Sequence, residues 1–160
     1  MLKKQALGLA GLAESTLFPS KIGLVADYRP EGDRTYDYAC AALGEDRAPR
    51  LLMEPEVYWD FLRGKAYART TVMHELGHIH YRDLTEINSS KEYDEQRMDV
   101  IRAGGIMERE LKADDFAVRF LGAEVVSAGL SYIRDADAEI EFEESVAELN
   151  RRISRLGNSR

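Results

Sequence analysis

The three histidines of this 160-residue chain lie within seven consecutive residues, in the order His74-Glu75-Leu76-Gly77-His78-Ile79-His80. The first five of these have the pattern HExxH. Residues four apart on an α-helix lie one turn above each other, so a helix lets the rings of His74 and His78 bind one zinc ion together. Glu75 lies about 100° around that helix, where it can reach a zinc-bound water without being a ligand. The pattern therefore predicts a helix with a hydrolytic metal site on one face.

An HExxH string can also arise by chance, because helical histidines often lie in a core or on a solvated surface. The rest of the helix favours the metal site. The two ligand histidines and the glutamate lie within about 100° of one another, whereas Val72, Leu76 and Ile79 cluster between about 140° and 200° from His74. The apolar stripe is thus predicted to face the core and the polar triplet to face the opposite way. His80 falls near 240°, so we interpret it as a surface residue or one behind the ligands.

A catalytic zinc site has three protein ligands and one open position, so a third ligand must come from elsewhere in the chain. Glu110 and Asp114 are four apart in a helical stretch, and Ala113 and Ala117 on the same face allow close approach to the HExxH helix. We predict Glu110 as the third ligand and Asp114 as hydrogen-bond acceptor for a zinc histidine. Glu108 competes as ligand but lies about 160° around the helix from Glu110. The alternative is that Glu110 and Asp114 are ordinary solvated carboxylates on the surface of their helix.

HELGH followed by ExxADxFA resembles the gluzincin metallopeptidases, and is most similar to the ImmA/IrrE-type family, whose members combine HELGH with a downstream ExxA(N/D)xFA helix. The resemblance covers roughly residues 20–122. Asp114 stands where many members have Asn, and the gap between the motifs is longer than in that family. Another gluzincin branch, the short relatives of membrane-bound ExxAD peptidases, therefore stays open. The resemblance implies a zinc peptidase that acts on a cytoplasmic transcriptional repressor.

Strand-forming segments separated by turn residues precede the HExxH helix, and helical segments follow it, which is typical of an α+β fold. We expect a small antiparallel three-stranded sheet, a meander, packed on a helical core that the resemblance implies to be zincin-like. The predicted strands cover residues 21–29, 36–43 and 50–54, and the predicted helices cover 56–63, 67–81 and 110–121.

We interpret residues 1–160 as a single metallopeptidase domain. An N-terminal helix or mobile segment occupies residues 1–18, a catalytic core occupies 20–122, and an amphipathic helix occupies 136–157. The apolar residues of this last helix recur at spacings of three and four. We favour its packing on its own domain over a homodimer through it, because barely two heptads are present.

Charge and composition limit the partners of the chain. A net charge of −7 argues against a nucleic-acid-binding surface. No segment approaches the roughly 18 apolar residues of a membrane span. One cysteine excludes an internal disulfide and suits a reducing compartment. Residues 1–13 imitate a secretion signal but are shorter than the usual 15 to 30 residues. We therefore expect a cytoplasmic protein.

These features predict a zinc metallo-endopeptidase with Glu75 as the general base for attack on a peptide carbonyl. The oxyanion needs a donor besides zinc, and Tyr81, His80, Tyr36 and Tyr38 all stay open for that role. The competing function is a non-catalytic, metal-stabilised module that binds and sequesters a partner protein. Hydrolysis of a non-peptide amide would use the same site.

Overall fold

The computed structural model describes residues 21–26, 38–86 and 90–158, and it gives only the backbone of residues 85–86 and 90–94. Across these segments the chain has the expected α+β fold. In chain order the elements are β1 (Gly23–Val25), β2 (Ala39–Leu43), β3 (Pro49–Met53), α1 (Pro55–Leu62), α2 (Ala66–Tyr81), β4 (Thr85–Glu86), α3 (Ser90–Arg102), α4 (Glu108–Leu121), α5 (Ala123–Glu139) and α6 (Glu143–Gly157). The predicted N-terminal segment 1–18 lies outside the described residues.

The four described strands form one mixed sheet in the order β1-β3-β2-β4. The predicted antiparallel meander is correct for β2 and β3, which form a hairpin, but wrong for β1. That strand pairs in parallel with β3, and the additional short strand β4 pairs in parallel with β2. β1 and β2 are consecutive in the chain, but β3 lies between them in the sheet. Strand composition alone does not distinguish these pairings.

Helix α2 lies at the centre of the molecule and carries HExxH. Val72, Leu76 and Ile79 are completely buried, as the predicted apolar stripe requires. The opposite face is covered too, since α2 also packs against β2, α4 and α5. His74 and His78 are therefore only 7% and 5% exposed. The two histidines face the inside of the protein rather than its surface.

Small residues bring α2 and α4 together, as the sequence predicts. A Cβ added at Gly77 would lie 2.8 Å from the Ala113 Cα and 3.1 Å from the Phe116 Cβ. Ala113 and Ala117 are completely buried in this contact region. Helix α4 ends at the predicted residue, Leu121, and the next residue is Gly122, whose φ of 83° favours glycine.

The C-terminal part contains two helices where the sequence predicts one over 136–157. Helix α5 ends at Glu139, and a turn with Glu141 at a φ of 59° reverses the chain before α6 begins. No glycine or proline marks this turn, so the helix start was predicted too early. The apolar face of α6 packs on its own domain, as favoured, with Leu149 and Leu156 buried in the common core. None of the helices in the described segments is long and apolar enough to span a bilayer.

Candidate metal centre

Three side chains from two helices converge beside the middle of α2. His74 Nε2 lies 3.1 Å from His78 Nε2 and 3.1 Å from Glu110 Oε2. The third separation, from His78 Nε2 to Glu110 Oε1, is 3.6 Å. A tetrahedral zinc ion with ligands at 2.0–2.1 Å places neighbouring ligand atoms about 3.3 Å apart. The three groups therefore have the spacing of one zinc coordination sphere.

The packing of α2 and α4 determines which carboxylate joins the histidines. Glu110 lies in the first turn of α4 and is 4% exposed. Its competitor Glu108 has a side chain that is 82% exposed and pairs with Lys112 at 2.8 Å. The structure therefore brings Glu110 to the histidines and leaves Glu108 on the surface, which agrees with the helical angle between them.

Asp114 fixes the protonation pattern of His74. Its Oδ1 lies 2.9 Å from His74 Nδ1, in a site where Asp114 is fully buried. Burial opposes ionisation, but the Arg152 guanidinium and the His74 hydrogen bond together hold the Asp114 pKa well below its usual range. An ionised carboxylate only accepts hydrogen bonds, so Nδ1 carries the proton. His74 Nε2 is then left to bind a cation or a second proton.

The two histidines have opposite proton affinities. Burial and the Arg152 guanidinium lower the pKa of His74, but hydrogen bonds to Asp114 and Glu110 outweigh them and raise it to about 9. Burial and the neighbouring His74 lower the pKa of His78 to about 3. Without a metal, His74 thus carries a second proton, on Nε2. The neighbouring acceptors, His78 Nε2 and Glu110 Oε2, would attract a metal cation as they attract this proton. A metal ion would replace that proton.

Glu75 lies beside the three convergent side chains and is anchored to the sheet. Ligand atoms of His74, Glu75 and His78 all lie within 4.8 Å of one another, so these three residues form a group that can hold a metal ion. Glu75 Oε2 accepts a hydrogen bond from the Ala41 backbone N–H at 2.8 Å. Burial raises the pKa of the Glu75 carboxyl to about 7. Its second oxygen can therefore take and release a proton near neutral pH.

A residue from the C-terminal helix joins the centre, although its place in the sequence does not predict this. Arg152 is 5% exposed and donates to Asp114 through two nitrogens, Nε at 2.8 Å and Nη2 at 2.6 Å. Its Nη1 lies 3.8 Å from Glu110 Oε2. The available signal was its position among Leu149, Ile153 and Leu156 on the apolar face of α6. A charged residue at such a position is rarely buried without a partner.

The predicted oxyanion donors lie in different places. Tyr38 lines the cavity next to His74 and Glu75. His80 instead contacts Tyr81 edge-to-face and Phe116 at a tilt, with ring centroids 4.8 and 5.1 Å apart. Neither His80 nor Tyr81 lines that cavity. Tyr36 lies outside the described residues. Among the described candidates, Tyr38 is the one that lines the cavity beside the metal centre.

The cavity beside the centre has a volume of about 660 Å³ and runs between the sheet edge, α3, α5 and α6. Its apolar wall includes Leu130, Ile133 and Leu149, and its polar wall includes Arg97 and Glu148. Arg97 donates to Glu148 through Nε at 3.0 Å and Nη2 at 2.6 Å, which ties α3 to α6. The cavity is large enough to admit side chains of a bound molecule next to Glu75.

Comparisons with protein-family models, with curated proteins and with solved structures find no match to this chain. The resemblance to gluzincins therefore rests on the two sequence motifs.

Proposed function

We propose that the protein is a zinc-dependent metallo-endopeptidase of the gluzincin type, with a zincin-like core. The single observation that carries this proposal is the convergence of His74, His78 and Glu110 at separations of 3.1 to 3.6 Å, with Glu75 beside them. Two imidazoles and one carboxylate form a ligand set found in zinc peptidases. Three protein ligands leave a coordination position open, as a catalytic site needs.

The chain supplies the proton transfers of the reaction. Zinc, when bound, lowers the pKa of water to about 7 and polarises a carbonyl. Glu75, held by the Ala41 N–H through Oε2, accepts the proton of the attacking water on Oε1 and delivers it to the leaving amine. A pKa near 7 serves both transfers. Tyr38, on the cavity wall, is the donor best situated to stabilise the oxyanion.

The edge of the sheet supports a peptide as substrate. β2 pairs with β4 only through Ala42 and Leu43 among the described residues, so the β2 segment 39–41 extends beyond its partner. Ala39 also lines the cavity. The Ala41 N–H of this segment already donates to Glu75. An extended peptide can add along such an edge by hydrogen bonds to the remaining backbone groups, with side chains entering the cavity. By resemblance, we propose a cytoplasmic transcriptional repressor as the physiological substrate.

The role of Glu75 can be tested with Glu75→Gln. If Glu75 is the base, this variant keeps zinc at one ion per chain and loses at least about a hundredfold in peptide cleavage. Cleavage is followed by mass spectrometry of an unstructured peptide mixture, with zinc and with chelator. Glu108→Gln is the matched control and retains activity. Cleavage by Glu75→Gln at the wild-type rate would contradict the assignment, and loss of zinc would make Glu75 a ligand of a closed, structural site.

A further inference from the structure

The metal centre is continuous with the C-terminal helix through a buried chain of contacts. Arg152 on α6 donates two hydrogen bonds to Asp114 on α4, and Asp114 accepts one from His74 on α2. All three side chains are at most 9% exposed. The chain of contacts links three helices that are far apart in sequence, since His74 and Arg152 are 78 residues apart.

The geometry at Asp114 shows how its carboxylate is oriented. Oδ1 accepts from both His74 Nδ1–H at 2.9 Å and Arg152 Nη2–H at 2.6 Å, while Oδ2 accepts from Arg152 Nε–H at 2.8 Å. The 3.1 Å between Nη2 and Nδ1 is then the distance between two donors that share one oxygen. A two-pronged guanidinium contact fixes the plane of the carboxylate, which a single ammonium cannot do.

A neighbouring ion pair offers a natural comparison. Arg155, one turn further along α6, pairs with Asp115 on α4, so both arginines join the same two helices. The side chains of Arg155 and Asp115 are 33% and 55% exposed, whereas those of Arg152 and Asp114 are 6% and 1% exposed. Only the buried pair contacts a ligand histidine. If Arg152 only attached α6 to α4, the Arg155–Asp115 pair would have the same role.

We infer that Arg152 is a positioning residue of the metal centre: it orients Asp114, which in turn holds His74 in the tautomer and ring angle that bind zinc. The inference rests on the proposed metal site. It makes α6 a part of that centre, although the helix supplies no ligand. Contacts to residues behind the ligands commonly affect metal affinity by 10 to 100-fold.

The test is zinc affinity, measured by competition with a chromogenic chelator, together with the visible spectrum of the Co²⁺-substituted protein. Arg152→Met should bind zinc about 10 to 100-fold more weakly than wild type and change the Co²⁺ bands. Arg155→Met is the control and should match wild type in both measurements. Thermal unfolding of the metal-free variants separates loss of fold from loss of affinity. If Arg152→Met does not fold, Arg152→Lys takes its place, because it keeps the charge but not the two-pronged contact.

A double-mutant cycle then shows whether Arg152 acts through Asp114. Asp114→Ala should weaken zinc binding, and Asp114→Ala with Arg152→Met should weaken it no further. Additive losses would overturn the inference, as would wild-type zinc affinity in the folded Arg152 variant. Failure of the wild-type protein to bind zinc would instead overturn the metal site itself, so the two results are distinguishable.

Discussion

At the scale of single residues, the centre combines groups that repel one another unless a cation is present. Nε2 of His74, Nε2 of His78 and the Glu110 carboxylate face each other with their lone pairs. Burial removes the water that would otherwise solvate them. A proton on His74 relieves part of this repulsion, and a divalent cation relieves more of it because it contacts all three.

This competition predicts the pH dependence of metal binding. Because hydrogen bonds to Asp114 and Glu110 outweigh burial and raise the pKa of His74 to about 9, the metal-free protein binds a proton there at neutral pH. Zinc must displace it, so apparent zinc affinity should rise with pH by up to about tenfold per unit and level off only near pH 9. Competition titrations with a chelator of known affinity between pH 6 and 10 measure this. Affinity that levels off near pH 6.5, as for an ordinary histidine, would contradict the raised pKa.

The identity of the third ligand gives a second prediction. Glu110→Ala should lower zinc affinity by at least about a hundredfold, because two histidines alone bind zinc weakly. Glu108→Ala, on the same helix but exposed, should bind zinc like wild type. Metal content after gel filtration measures both. Equal zinc content in the two variants would show that Glu110 is not a zinc ligand.

The sequence predicts some residues of the metal centre better than others. His74, Glu75 and His78 lie within one helical turn, so local spacing was sufficient to group them. Placing Glu110 and Asp114 beside them required one further assumption, that the two helices pack against each other through their small residues. Arg152 was missed because its role depends on where α6 lies in the fold. Its spacing within α6 predicts burial but not the partner.

At the scale of elements, the close contact between α2 and α4 determines the separation between the histidines and Glu110. Gly77 is the residue of HELGH that permits this contact, since any side chain there would meet the α4 backbone. The sequence predicted the contact because small residues occur on both helices. It did not predict the pairing of β1 with β3 or the turn at residues 140–142, because no residue type in those segments indicates the pairing or the turn.

Gly77→Ala should therefore separate the two helices. The added Cβ would lie 2.8 Å from the Ala113 Cα, so we expect a loss of about 1 to 3 kcal/mol in the free energy of unfolding, despite the higher helix propensity of alanine. Zinc affinity should fall as well, because Glu110 moves with α4. Gly157→Ala, where a Cβ meets nothing within 4 Å, is the control. Urea unfolding and zinc titration of both variants measure the effects, and equal stability of the two would contradict the close contact.

At the scale of the whole molecule, the metal centre lies among the elements that form the core. Its side chains come from α2 and α4, Asp114 is held by α6, and Glu75 is held by β2. A zinc ion bound at this point would therefore stabilise the contacts between elements from distant parts of the sequence. The unfolded chain does not bring these groups together, so we expect a metal ion at this centre to bind the folded state preferentially.

This coupling predicts a large effect of zinc on thermal unfolding. At a free zinc concentration a thousand times the dissociation constant, binding to the folded state adds about 4 kcal/mol to the free energy of unfolding. For a chain of this length that corresponds to a rise in Tm of about 8 to 16 °C. Calorimetry with zinc and with chelator measures the shift, and Glu110→Ala should abolish it. Because α6 is joined to the centre through Arg152, near-ultraviolet and far-ultraviolet circular dichroism should show one common transition in the zinc-bound protein. A separate, earlier transition of the C-terminal helices would show that α6 does not share the stability that zinc confers.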